Sequence, residues 1–246
     1  MSETDDQRAL ARFATVLASL NREESLTARL CEAGRQLLEA EGASMTLDYA
    51  GSGRLMVHAT DEFSAQLDDL QDVVGEGPSF DAATSGEVVV ARLGTGDEDR
   101  WALFSDRLVD LGFRGTLVAV PLRAELSVLG VLSLHRRGPD QDEDLVSARF
   151  LGATVGTALL QDPRVGRPDQ VSTEAWATRS KIHQATGMIV AQVGVRTDDA
   201  MALLRAQAFA RNTSLAEIAQ DIVGRRINFR DFTICLLYTS PSPRDS

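Results

Sequence analysis

The chain has 246 residues, 43% of them hydrophobic, with 36 Asp and Glu against 25 Lys and Arg for a formal net charge of −11. That length and apolar content are enough for one or two packed domains and exclude a wholly disordered chain. With two cysteines and no apolar run of about 18 residues, neither a disulfide framework nor a membrane-spanning helix is expected.

Residues 6–20 and 24–40 have the apolar spacing of amphipathic helices, and the acidic start Met1-Ser2-Glu3-Thr4-Asp5-Asp6 carries no signal-peptide pattern. Residues 43–49 and 55–60 read as strands, with Gly51-Ser52-Gly53 as the hairpin turn between them. Gly75-Glu76-Gly77-Pro78 predicts a backbone turn ahead of a short helix. Residues 87–91 form a short strand, and 101–111 a helix stopped by Gly112. Gly94-Thr95-Gly96 lacks the lysine of a phosphate-binding loop. The strongest strand signals are 115–122 and 127–135. A helix over 141–160 follows, with Asp140 as its cap and Glu143 as the capping-box partner. Helices, then strands with a helical insertion, then a closing helix predict an α+β domain over residues 1–163.

Pro163, Gly166 and Pro168 break helix and predict a hinge over 164–170. Beyond it, residues 171–230 read as an all-α three-helix unit. The first helix, 172–193, has one apolar face made by Val171, Ala175, Ile182, Ala185, Ile189 and Val193, widened by Trp176 and Met188. Thr178 interrupts that face, and Gly194 ends the helix. Thr197 is the expected cap of the second helix, which buries Ala200, Leu203, Leu204 and Ala208. Ser214-Leu215-Ala216-Glu217 is a capping box opening the third. This unit holds eight Arg and Lys against five Asp and Glu, net +3, whereas residues 1–170 are net −13. A basic helical unit behind an acidic body predicts a polyanion partner for the former. The candidate phosphate contacts are Arg179, Lys181, Arg205, Arg211, Arg225 and Arg226, and the helix pattern alone would also suit a small DNA-binding unit.

Two resemblances sharpen this. The string Arg179-Ser180-Lys181-Ile182-His183-Gln184-Ala185-Thr186-Gly187-Met188 resembles the core of the ANTAR domain, an RNA-binding antitermination module. The run Ala200-Met201-Ala202-Leu203-Leu204-Arg205, then Asn212, then Leu215-Ala216-Glu217-Ile218-Ala219 continues it. The resemblance implies binding to tandem stem-loops in nascent RNA, with Arg179, Lys181, His183, Gln184, Arg205 and Arg211 as the RNA-binding set. Thr186 stands where many ANTAR domains have lysine, and Ser214 and Ala216 lie where many carry a basic residue, so fewer phosphate contacts are expected. Gly75-Glu76-Gly77-Pro78-Ser79-Phe80-Asp81, Gly86-Glu87-Val88, Val120-Pro121-Leu122 and Leu129-Gly130-Val131-Leu132 resemble a GAF domain, a small-molecule sensor built on an antiparallel sheet flanked by helices.

The pairing is similar to the GAF–ANTAR regulators common in actinobacteria, and Arg outnumbers Lys twenty-four to one, as in a GC-rich genome. It implies a cytoplasmic, signal-responsive antitermination regulator, not an enzyme. Its partners would be RNA, an unknown small molecule and a second copy of itself, paired through the helix after the hinge. The alternative is a transcription-linked regulator acting through protein or DNA contacts, with a vestigial GAF domain.

Phe80, Trp101, Phe104 and Phe113 are the candidate pocket lining, and core packing explains them equally well. No cofactor is expected. His58 and His135 end strands, where a histidine is more often a polar-edge residue than a haem ligand. Cys31 lies among apolar residues of a helix, without a second cysteine in the body for redox chemistry. Cys235 opens a stretch, 235–246, that follows no helical pattern and resembles a translated sequencing adapter.

Overall fold

A computed structural model describes residues 3–21, 24–49, 53–93, 98–138, 144–162 and 173–230. The expected hinge, the tail from Cys235, Gly51-Ser52, Gly94-Thr95-Gly96 and the Asp140–Glu143 capping box therefore lie outside the described residues. The chain forms two compact units, Met1–Trp176 and Ala177–Ser246.

The first unit contains α1 (Glu3–Ser19), α2 (Leu26–Leu37), β1 (Gly42–Tyr49), β2 (Gly53–Ala59), α3 (Glu62–Val74), α4 (Pro78–Ser85), β3 (Val89–Leu93), α5 (Ala102–Asp110), β4 (Gly115–Ala124), β5 (Ser127–Arg137) and α6 (Leu145–Gln161). A single 3-10 turn, Glu98–Trp101, leads into α5. The five strands make one antiparallel sheet in the order β2-β1-β5-β4-β3.

Strand alternation explains why both faces of this sheet are covered. Met45 and Leu47 of β1, Val118, Val120 and Leu122 of β4, and Leu132 and Leu134 of β5 join one core cluster. Leu30 of α2 and Leu151, Val155 and Leu159 of α6 complete it. The alternate residues Leu117, Ala119 and Val131 join a second cluster with Leu67 of α3, Ala82 of α4 and Trp101, Phe104, Leu108 and Phe113 around α5. Covered on both sides, β4 is buried at every position from Gly115 to Leu122.

Helix α6 rests directly on β4. A Cβ on Gly152 would lie 2.4 Å from the Pro121 carbonyl oxygen, and one on Gly156 2.2 Å from that of Arg123. Only glycine allows this approach of helix to strand. The helix begins at Leu145, with Asp144 as its cap accepting from the Ser147 N–H at 2.9 Å. That start is four residues later than the sequence pattern suggested.

The second unit holds α7 (Thr173–Val193, whose first residues precede the unit boundary), α8 (Thr197–Arg211) and α9 (Leu215–Val223). Gly194, at φ 72, ends α7 as expected. Thr197 is the first residue of α8 rather than its cap, a position held by Arg196 without a side-chain bond. Ser214 caps α9 and accepts from the Glu217 N–H at 3.2 Å. Ala185, Ile189, Ala200, Leu204, Ala208, Ile218 and Ile222 are fully buried, and Ile227 and Phe229 just beyond α9 are buried too. No helix among the described residues is long and apolar enough to cross a membrane.

Candidate functional site

The second sheet face changes character toward β1. There the alternate positions are Ser44 and Thr46 on β1 and Ser133 and His135 on β5, polar residues on the side covered by α3 and α4. Ser44, Thr46 and His135 are buried. Buried polar strand residues need partners, and α3 supplies them to Thr46 and His135 through Asp68 and Ser64.

Asp68 of α3 is 1% exposed and accepts the Thr46 hydroxyl. Arg54 of β2 reaches across: its Nη2 lies 3.6 Å from Asp68 Oδ1, and its Nε 3.1 Å from Asp72. The same Nη2 donates to the Ser79 hydroxyl at 2.9 Å, and the guanidinium stacks 4.1 Å above the Phe80 ring. Burial pushes the Asp68 carboxyl up from its ordinary range, against the opposing pull of Arg54 and Thr46. Gln71 Oε1 accepts both the Ser79 N–H, at 2.9 Å, and its hydroxyl, at 2.8 Å. Gly77, at φ 138, passes so close that a Cβ there would meet Gln71 Oε1 at 2.5 Å. The start of α4 is thus pinned to α3 and β2 through one serine.

At the other end of α3, the Asp61 carboxylate caps the helix, accepting the Ser64 N–H at 2.8 Å and the Ser64 hydroxyl at 2.6 Å. Burial alone would raise the Asp61 pKa, but the Ser64 and Thr60 hydrogen bonds outweigh it and hold the group below its usual value. With its hydrogen on Asp61, Ser64 Oγ is left to accept from His135 Nδ1, 3.2 Å away. His135 is 6% exposed, edge-on to Phe63 and Phe113, and burial lowers its pKa. The expected polar-edge histidine is therefore a buried one, because its strand face is closed by α3.

Between these groups lies a cavity of about 10 Å³, room for one water-sized molecule, lined by Ser44, Ser64, Gln71, Ser79, Ser133 and His135 among others. The Ser133 hydroxyl in its wall is buried and makes no hydrogen bond. A second hollow, of about 390 Å³, is bounded by Leu93, Leu108, Val109, Phe113 and Arg114.

The four aromatic residues expected to line a pocket are spread over different roles. Trp101 and Phe104 are buried in the aromatic core cluster, with the Trp101 Nε1–H donating to Asp81 at 3.2 Å. Phe113 packs in that cluster and also borders the second hollow, and Phe80 lies under the Arg54 guanidinium. The polar lining of the small cavity was not anticipated. Its sequence signal is the Ser44/Thr46 and Ser133/His135 alternation within otherwise apolar strands. Cys31 is fully buried, and desolvation pushes its thiol far up, so it is an inert core residue.

In the second unit, Lys181, His183 and Gln184 are exposed on α7 and Arg211 at the end of α8. Arg205 is half-buried, and Arg179 is 5% exposed. The side chains at 173–176, Trp176 included, lie outside the described ones. Thr186 is buried, its hydroxyl bonded to the Ile182 carbonyl at 2.8 Å.

A family model for the GAF domain matches residues 22–159, and one for the ANTAR domain matches residues 172–223. No curated protein matches the chain. Among solved structures, the GAF domain from Acinetobacter phosphoenolpyruvate-protein phosphotransferase is similar at 16% identity and a TM-score of 0.43, over 63% of this chain and 92% of that one. The GAF-B domain of DevS from Mycobacterium smegmatis is 15% identical with a TM-score of 0.36, over 63% and 93% respectively. The A. aeolicus nlh2 GAF domain in an inactive state is 13% identical with a TM-score of 0.37, over 63% and 91%.

Proposed function

This chain belongs to the GAF domain family, and from that premise we propose that it is a signal-responsive regulator of transcription antitermination. Its C-terminal helical unit binds paired RNA stem-loops. The observation that carries this reading is the exposed side of α7, where Lys181, His183 and Gln184 stand inside a unit that matches the ANTAR model. Lysine supplies a mobile point charge for phosphate, and the amide and imidazole supply directed hydrogen bonds to sugars or bases. Arg211 extends the set on α8. Arg205 and Arg179, less exposed, contribute more through placing the helices than through reach. Two copies of the chain would grip two stem-loops with the avidity that tandem sites reward. The protein works in the cytoplasm, where nascent RNA is made.

The GAF domain is the sensing half. A signal molecule larger than water needs the wall of the polar cavity to open, and the Ser79 bonds to Gln71 and Arg54, which hold the start of α4 in that wall, are the contacts we propose it breaks. For a switch of ordinary size, the ligand must favour the opened arrangement by about 1–3 kcal/mol. The small volume of this cavity favours a second reading on one point: the domain answers to a protein partner and its small-molecule site is vestigial.

Fluorescence anisotropy of a labelled tandem stem-loop RNA, against a scrambled RNA and a duplex DNA at two salt concentrations, tests the proposal. Selective binding to the stem-loops is expected. Lys181→Ala should weaken it and flatten the log–log salt slope by about 0.7–0.9, the share of one phosphate contact. Equal binding to all three nucleic acids would reduce the unit to a basic patch and sink the antiterminator reading.

A further inference from the structure

Gly187 stands inside α7 with no reason that the described residues supply. Its backbone is helical and has no positive φ, so the turn of the chain does not require glycine. Packing does not require it either, because among the described residues a Cβ built there would meet nothing within 4 Å. The other glycines inside described helices differ. A Cβ on Gly34 would lie 2.6 Å from Leu132, on Gly152 2.4 Å from the Pro121 carbonyl, and on Gly156 2.2 Å from the Arg123 carbonyl. Those three are held by close neighbours. Gly187 carries the usual penalty of a helix glycine without any such return inside the unit.

The surroundings indicate what the open space serves. Ser180, Gln184, Gly187 and Ala191 follow one another at steps of four, three and four along α7, and all are exposed. Lys181 flanks the row. Residues 177–193 contain no Asp or Glu, so the whole exposed side is neutral or basic. A second copy of α7 suits this face poorly: it would bring Lys181 against an identical basic surface with no carboxylate to pair. A polyanion suits it well.

We infer that Gly187 is the point where the RNA ribose–phosphate chain lies directly against the helix backbone, its missing side chain being a requirement of the ligand and not of the fold. The inference rests on the RNA-binding reading above. Lys181 then meets a phosphate from one side of the row, and Gln184, one turn earlier, faces the same strand with an amide that can both donate and accept. A methyl group at 187 would sit where the sugar packs, while leaving every intramolecular contact untouched.

The test is Gly187→Ala in the full chain, with thermal melting by circular dichroism, anisotropy with the tandem stem-loop RNA, and molar mass by light scattering. The expected result couples two opposite signs. Melting rises by a few degrees, as for an Ala replacing Gly in an open helix position. RNA affinity falls at least tenfold, with the salt slope unchanged because no charge is lost, whereas Lys181→Ala flattens that slope. RNA affinity equal to wild type in Gly187→Ala, with Lys181→Ala still weakened, would overturn the inference and leave the RNA reading intact. A lower melting temperature would also overturn it, by showing that position 187 is not open. A fall in molar mass with RNA binding otherwise unchanged would assign the face to a second copy instead. Absence of selective RNA binding by the wild type would overturn both the inference and the reading beneath it.

Discussion

Asp61 and Asp144 do the same work on opposite sides of the sheet: each caps a helix, α3 or α6, by accepting the N–H of a serine three residues on. The Ser147 hydroxyl and then its N–H hold the Asp144 carboxyl below its ordinary value. A depressed folded-state pKa means that the carboxylate's contribution is complete above the unfolded value of about 3.9 and drains away as pH falls through the lower folded value. Asp144→Ala should therefore cost about 1 kcal/mol at pH 7. That difference from wild type should begin to shrink below about pH 4, where the unfolded chain takes up the proton first, and vanish once the folded group is protonated as well. Urea melts of both proteins at pH 7 and pH 3 check this, and an undiminished gap at pH 3 would argue against the cap. The sequence offered acidic residues at 140, 142, 143 and 144. The reading from sequence chose Asp140, whereas the helix is capped by Asp144, because the phase of the helix is set by burial of Ala148, Leu151, Val155 and Leu159, a property of the packed state.

At the scale of elements, the strands and the longer helices were legible because their apolar periods are strong. The β4–β5 hairpin, the two opening helices and the three helices of the C-terminal unit follow from spacing alone. Helix α3 was not delimited, although Asp61 at its cap and Leu67, Leu70 and Val74 at helical steps were there to be read. Its interior carries Ser64, Asp68 and Gln71, which blur an apolar stripe; their polar partners are His135 and Thr46 on the strands and Ser79 on α4. The polar site escaped notice for the same reason: its two halves, on β1 and β5, are almost ninety residues apart and meet only through sheet pairing. The glycines of α6 read as weak helix formers until their contacts are known. Gly156→Ala should destabilise the first unit by about 1–3 kcal/mol, the usual range for overpacking, since the new carbon meets a backbone carbonyl and not a pliable side chain. Chemical denaturation should show this loss, in contrast to the gain expected for Gly187→Ala.

For the molecule as a whole, the division into two compact units predicts unfolding that is not a single transition. Tandem stem-loop RNA at a hundredfold excess over Kd should raise the transition of the basic unit by an amount equivalent to about 2.7 kcal/mol, leaving that of the GAF unit in place. Calorimetry with and without RNA separates the two. A matched shift of both transitions would mean that the halves unfold as one. Charge follows the same division. Residues 1–170 are net −13 and residues 171–230 net +3, so under the proposed RNA-binding reading the acidic body repels the polyanion and overall charge does not drive the binding.

The contact of α6 with β4 has a mechanical consequence. Most helix–sheet interfaces are cushioned by side chains, whose rotamers absorb small displacements before the helix axis moves. At Gly152 and Gly156 that cushion is missing, and helix and strand bear on each other like two gear teeth without backlash. The opposite face of β4 contributes Leu117 and Ala119 to the wall of the polar cavity. A shift of the strand at that wall would therefore pass to α6, the last helix before residue 163, with little side-chain slack at these two positions.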